Sequence, residues 1–379
     1  MTNAQTTAEL PSEDASAMLP AAGPWQVAMH RLLRKRLAVA ALVLIAGFYF
    51  VGLFAPLLAP SDFRDQNLEQ TLRGPTWDHP FGTDRLGRDQ LSRVIWSART
   101  TTIVTIATVL TGSLFLSVGL GMLSGYLGGK VDTVIMRAGE AFGSLPALPM
   151  LILINATMRD RVSGWVDNLE GWISSDQPLF YAIFGVLALI GVAALAAWLL
   201  AGSGRRSGAW LALAVMSAGA ILALWGVQAV FAMPGASDYF LIFGALSLFF
   251  WVGGARVIRS QVLALRETEY VLAARSMGAG TWRILVTHLL PNVSPIIIVG
   301  VSASLGAIAG SEIALTFLGV GVHDPTPSFG ALIFDASSQP VIRNHPHLLI
   351  APAIVVGLLI FGFNLLGDAL NDVLTPKAR

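Results

Sequence analysis

The chain reads as an all-α, polytopic membrane protein, and three observations lead there. Of its 379 residues, 54% are hydrophobic and only 12% are charged, against roughly 45–50% and about 25% in an ordinary soluble domain. Apolar runs near the ~20 residues that a spanning helix needs recur along the sequence. Between two of these runs lies a polar, arginine-bearing island, EYVLAARSMGAGTWRILVTHLLP, with the pattern helix, glycine turn, helix, proline. The net charge of +1 offers no global field for nucleic acid, and the absence of cysteine excludes disulfides, thiol catalysis and Cys-ligated metal.

Residues 1–36 form a tail rich in Ala, Thr, Ser, Pro and acid that ends in a basic juxtamembrane cluster, Arg31, Arg34, Lys35 and Arg36. The apolar run 37–59 then predicts a first transmembrane helix, an uncleaved signal anchor with a cytoplasmic N-terminus. Residues 60–100 are expected outside. Their six arginines (Arg64, Arg73, Arg85, Arg88, Arg93 and Arg99) run against the bias of basic residues toward the cytoplasm. Within this segment HPFGTDRLGRDQLSR predicts a turn and an amphipathic helix leading into the next span.

Residues 101–157 hold two spans, at about 101–126 and 134–157. Gly121, Gly125 and Gly129, spaced by four, predict a close-packed helix face. Gly128-Gly129-Lys130 is no phosphate loop, because Val131 follows the Lys where Ser or Thr is required. Lys130 and Arg137 mark a cytoplasmic turn, Glu140 can pair with Arg137, and Pro146 and Pro149 can break the third span. Acid-rich residues 159–177, with Trp165 and Trp172, predict an outer interfacial loop. Residues 158–237 carry two further apolar blocks, 179–201 and 209–233, joined by a basic turn at Arg205 and Arg206. Another span at about 238–257 leads to the polar island. After it come a span at about 292–318, an outer loop of Gly, Pro and His at 319–347, and a last span at about 348–370. The sum is about eight spans with both termini cytoplasmic.

In the island, Glu269 can favour a helix start through the dipole, and Tyr270 to Met277 has helical composition with a narrow Ala273-Ala274 face. Gly278 and Gly280 allow a reversal at positive φ. Thr281 can cap a second helix over 282–290, which Pro291 ends. On physical grounds alone this hairpin suits either a partner's groove or a resting place on lipid headgroups. Glu312 is a carboxylate inside an apolar run, consistent with a role on a transport path or with a hydrogen bond between helices. His323, His345 and His347 lack the spacing of a metal site, and no metal is expected.

The order Ala273-Ala274, three residues, Gly278, nine residues, a variable pair, Leu290-Pro291 resembles the EAA loop of ABC importer permeases. Leu272 replaces the family's leading Glu, and His288 stands where many members have Ile, as in the dipeptide and oligopeptide (C-type) branch. HPFGTDRLGRDQLSR, TFLGVGVHDPTPSFGALI and FNLLGDALNDVLTP are similar to other segments of that branch. The resemblance implies a type I importer-like permease bundle, a six-span core at 37–157 and 238–376 with two inserted spans at 158–237. Its coupling loop would be 266–291, with Leu272, Ala273, Ala274, Gly278, Gly280, His288, Leu290 and Pro291 as its marked positions. It further implies a B-type permease partner, two ABC ATPase subunits that use ATP-Mg, an extracytoplasmic solute-binding protein, no catalysis and no bound cofactor in this chain, and no nucleic acid. Carriers of dipeptides, oligopeptides, nickel chelates, modified peptides and oligosaccharides all resemble this branch. Two readings from other classes are an ion-coupled secondary transporter, which would want ionisable residues in addition to Glu312 near the bilayer centre, and a non-transporting membrane scaffold.

Overall fold

A computed structural model describes residues 32–173 and 235–374, together with positions 186, 189, 190, 192, 193 and 217. The two apolar blocks at 179–201 and 209–233 fall almost entirely outside the described residues, as do the N-terminal tail and the last basic residues. Helices dominate what is described: α1 (Arg36–Leu53), α2 (Gln90–Leu127), α3 (Gly129–Ser144), α4 (Ala147–Ile173), α5 (Ala236–Leu265), α6 (Glu269–Ser276), α7 (Thr281–Phe317), α8 (Phe329–Ala336), α9 (Gln339–Asn344) and α10 (His347–Leu374). Among them α1, α2, α5, α7 and α10 are each long and apolar enough to cross a membrane; the bent pair α3 and α4 makes six if counted as one span.

α1 stops at Phe54, where φ −97° and ψ 16° leave the helical region and Pro56 follows in the next short turn. α2 begins eleven residues before the apolar run does. Asp89 caps it by accepting from the Ser92 amide at 2.7 Å, a stabilising contact worth about 1 kcal/mol. The helix then runs unbroken through a π segment at Val109–Leu116. Its first half is lined with buried threonines that bind the surrounding elements. Thr101 donates to Glu312 of α7 at 2.8 Å, Thr105 shares a hydrogen bond with Tyr49 of α1 at 3.1 Å, and Thr100 donates to the Pro327 carbonyl at 2.7 Å. Such hydroxyl contacts replace the hydrophobic drive that is absent between helices in lipid.

The second half of α2 packs along α5 in the most extensive helix pairing among the described residues. A Cβ added at Gly121 would lie 2.8 Å from the Ala255 carbonyl oxygen, and one at Gly125 would lie 2.8 Å from Val262 Cβ. These two glycines do form the expected close face. Gly129 does not: it turns the chain at φ +52° with no neighbour within 4 Å of an added Cβ. The four-residue spacing carries past the end of α2, so the third glycine serves the turn.

The expected third span at 134–157 is two helices. α3 and α4 meet at a 92° bend. Pro146, which lacks an N–H, sits at the break, in keeping with the expectation that a proline can break the third span. Arg137 donates to Glu140 at 3.0 Å on α3, as anticipated. The expected outer loop at 159–177 is also revised, since α4 continues in helix through Ile173 and carries Trp165 with it. Gly164 alone does not break a helix, and Asp160 and Asp167 are exposed.

At the end of the bundle away from the polar island, the 61–89 segment folds against the 319–346 segment. Asp84 organises it: its Oδ1 accepts from the amides of Leu86 and Arg88 at 2.8 and 2.9 Å, and its Oδ2 accepts from Arg88 Nε and Arg93 Nη1 at 2.7 and 2.6 Å. Arg85 crosses to the Asp335 carbonyl and Ser338 hydroxyl. Burial pushes the Asp335 carboxyl above the usual carboxylate range, against the opposing pull of Arg93. The presumed loop 319–347 thus contains α8 and α9, with Ser328 capping α8 through the Ala331 amide at 3.2 Å. Arg88 and Arg93 are therefore structural side chains in a packed cluster, which separates their placement from any charge rule for topology.

Candidate functional site

The polar island forms a helical hairpin at the opposite end, built from α6 and the start of α7. α5 ends at Leu265, and Thr268 Oγ1 donates back to the Leu265 carbonyl at 2.5 Å. α6 then opens with Glu269 in its first turn and closes with Arg275 in its last, the arrangement that the helix dipole favours. Its C-terminus is a Schellman motif. The Ala279 amide donates to the Ala274 carbonyl and the Gly278 amide to the Arg275 carbonyl, both at 3.0 Å, with Gly278 at φ +82°. Gly280 is different from the expectation: it caps α7 at φ −69° and ψ 157°, a conformation open to any residue. Thr281 is the first helical residue and does not cap by its side chain.

Pro291 does not end the second arm. α7 passes from Thr281 through a π segment at Ile284–Leu289 directly into the long span, with Pro291 in the first turn after the π segment. The wider turn accommodates a residue that has no N–H and whose ring would clash with the carbonyl four residues earlier. The hairpin's outgoing arm and the next span are consequently one rigid element.

The hairpin is held from beneath by a hydrophobic cluster of Val271, Ile284, Leu285, Leu289 and Val293 against Met122 of α2 and Ile258 and Val262 of α5. Ala274 is buried beside it, whereas Ala273 faces outward, so the Ala-Ala pair is split between base and surface. On the outer side Leu272, Met277 and Trp282 are 42%, 82% and 76% exposed. His288 and Leu290 are half-buried in and after the π segment. Leu272, in place of an acid, adds apolar area to this outer surface. Neither Met277 nor Trp282 stands out by spacing; only the fold shows that both project from the turn.

Glu312 lies elsewhere, fully buried in the bundle, accepting from Thr101 at 2.8 Å and Thr316 at 3.3 Å. It is not part of the wall of the cleft that opens between α2, α5 and α7. That cleft, of about 400 Å³, is lined by Ser113, Ser117, Gly253, Gly254, Gly300 and Ser304 among apolar side chains. The histidines find separate partners: His323 faces Asp238 and Arg159, while His345 and His347 contact each other edge to face.

Residues 117–379 match the family model described as binding-protein-dependent transport system inner membrane component. The chain belongs to that family. Residues 23–75 match a second model, the N-terminal TM domain of oligopeptide transport permease C. Among curated relatives, the dipeptide transport system permease protein DppC of Alkalihalophilus pseudofirmus is 29% identical over 359 residues, 95% of this chain and 92% of that protein. The oligopeptide transport system permease protein OppC of Bacillus subtilis is 28% identical over 94% of this chain and 90% of its own length. The glutathione transport system permease protein GsiD of Pectobacterium atrosepticum is 29% identical over 94% and 92%. This chain is thus a membrane-embedded transport permease, in agreement with the resemblance carried by its motifs, and the secondary-transporter and scaffold readings gain no support.

Proposed function

We propose that the chain imports peptides or peptide-like solutes as one half of a permease pair, driven by separate ATPase subunits docked on the hairpin at Glu269–Leu289. The observation that carries this is the hairpin itself: an exposed apolar tip of Leu272, Met277 and Trp282 on a buried base, joined without a break to the spanning helix α7. A short helix with an apolar outer face is suited to a groove on a partner. ATP binding that favours one arrangement of the ATPases would shift the hairpin and, through α7, the bundle. The relatives named for dipeptide, oligopeptide and glutathione transport support a peptide-like solute, delivered by an extracytoplasmic binding protein. In this reading a B-type permease is the other half. In this reading the bent pair α3 and α4 counts as one span beside the five others, the apolar blocks at 179–201 and 209–233 add two to make eight, and both termini are cytoplasmic in a bacterial inner membrane.

The glycine and serine cleft between α2, α5 and α7 is the favoured position for this chain's wall of the path, because it is a concave opening lined by small residues between three spanning helices. Glu312 serves instead as a helix-pairing acceptor. The test of the main reading is reconstitution of the whole importer, with uptake that requires both ATP and the ATPases. Because the chain has no native cysteine, Met277→Cys provides a unique crosslinking point; it should form an adduct with an ATPase subunit. Uptake by this chain alone under an ion gradient would refute the proposal.

A further inference from the structure

The turn that joins α2 to α3 is fastened to the base of the hairpin by two arginines, Arg259 of α5 and Arg266 at its C-cap. Arg259 donates from Nε to Asp132 Oδ1 and from Nη2 to Asp132 Oδ2, both at 2.5 Å, a bidentate pair. Ser124 also donates to Asp132. Arg266, the residue that caps α5 two turns further along, donates from Nη1 to the Gly125 carbonyl at 3.2 Å. These contacts suit the local backbone. The Gly125 carbonyl belongs to the last turn of α2, where carbonyls lack helical partners and a cation is favoured; Asp132 lies in the first turn of α3, where an anion is favoured. Only Glu267 and Thr268 separate Arg266 from the first residue of α6. The clamp thus closes a ring in which α2, α3, α5 and the hairpin meet at one end of the bundle.

Resting on the coupling role proposed above, we infer that Asp132 and Arg259 are positioning residues for coupling. Their bidentate pair passes displacement of the hairpin to α2 and α3. α7 already moves with the hairpin by continuity of its helix, but α2 and α3 have no covalent link to it nearer than α5. Apolar packing of Met122, Ile258 and Val262 resists separation of these helices, yet it is non-directional and permits sliding. A planar guanidinium held at both oxygens of a carboxylate fixes orientation as well as distance. Asp132 and Arg259 are only partly exposed, at 20% and 31% of their side-chain surface, which limits screening.

The test uses the complete importer in proteoliposomes and measures solute taken up per ATP hydrolysed. Arg259→Lys keeps the charge and packing but cannot make the two-point contact; Asp132→Asn removes one charge. Each should lower the ratio at least fivefold while ATP hydrolysis and the yield of assembled complex stay within twofold of wild type. The exchange Asp132→Arg with Arg259→Asp should recover at least half of the lost ratio. A merely structural pair would lower yield or thermal stability and leave the ratio unchanged, and that result overturns the inference. Should Asp132→Asn fail to assemble, Arg259→Lys decides alone: a wild-type ratio refutes the clamp. If the wild-type complex shows no ATP-dependent uptake, the permease reading fails and takes this inference with it; a coupled wild type with unaltered variants refutes the clamp only.

Discussion

Replacing Gly278 separates the backbone geometry of the hairpin from its packing. The residue sits at φ +82°, and a Cβ added there meets no atom within 4 Å, so the whole cost of substitution is conformational. An L-residue in the left-handed region costs roughly 1–2 kcal/mol, and a β-branched one lies at the upper end or beyond because that region is an outlier for it. Beneath the turn, Val271, Ile284, Leu285 and Leu289 are buried; at about 1.5–3 kcal/mol each, their burial exceeds the strain several-fold. Gly278→Val should therefore leave the hairpin seated and the protein inserted in the membrane, and distort only the turn. A penalty of about 2 kcal/mol lowers the population of the native turn relative to an opened one by about 30-fold. Uptake per ATP in the reconstituted importer should fall at least tenfold for Gly278→Val and less for Gly278→Ala. Gly278→Asn should stay near wild type, since Asn enters the left-handed region with little penalty. Equal coupling in the Val and Asn variants would refute the role of the left-handed turn; loss of the Val variant from the membrane would refute the division between strain and packing.

Gly125→Ala should lower thermal stability of the detergent-solubilised protein by about 1–3 kcal/mol through overpacking against Val262 and Arg259. Gly119→Ala, with open space around it, should not, and equal effects would refute the assigned packing face. Glu312→Ala should cost more in the same assay than Glu312→Gln, because it removes the acceptor of the buried Thr101 hydroxyl, an unsatisfied group worth about 1–3 kcal/mol; equal stabilities would refute that pairing. The raised pKa of Asp335 means that its native environment favours the protonated form, through burial first and Asp324 and Asp84 as well, against Arg93 and Arg88. Its contribution to stability is then full below the unfolded value of about 3.9 and is lost as pH rises through the higher folded value. Asp335→Asn should accordingly raise the unfolding temperature at neutral pH relative to wild type, with the difference vanishing in acid. A constant difference across pH would refute the assignment.

Much of this molecule was legible because its strongest signals are local. An apolar run of spanning length can satisfy its backbone in lipid only as a helix, so the existence of α1, α2, α5, α7 and α10 could be anticipated, although α2 and α7 each begin well before the apolar run does. The positive-φ glycine at the end of an eight-residue helix could be anticipated for the same reason: the requirement sits in one residue. Elements whose state depends on a neighbour were read less well. Pro291 carries an ordinary stop signal, and the π segment that cancels it is supported by Ile284, Leu285 and Leu289 packing into a cluster drawn from α2 and α5. The segment 319–347 has the composition of a loop, yet α8 forms there with Phe329 and Leu332 buried against Val94, Ala98 and Ile313. The bend between α3 and α4 was marked by Pro146, but its 92° angle belongs to the packing around it.

By itself, then, the sequence determined a helical membrane protein with a glycine-turned hairpin between spans and a permease family's motifs around it. Periodicity, turn chemistry and length are properties of short segments. The tertiary structure decided which side of the hairpin faces out, that Glu312 pairs helices, and that Asp132 meets Arg259 across 127 residues of chain. Those facts depend on where distant segments come to lie, and in a membrane that placement follows from close packing at Gly121 and Gly125 and from buried hydrogen bonds, neither of which leaves a repeat in the sequence.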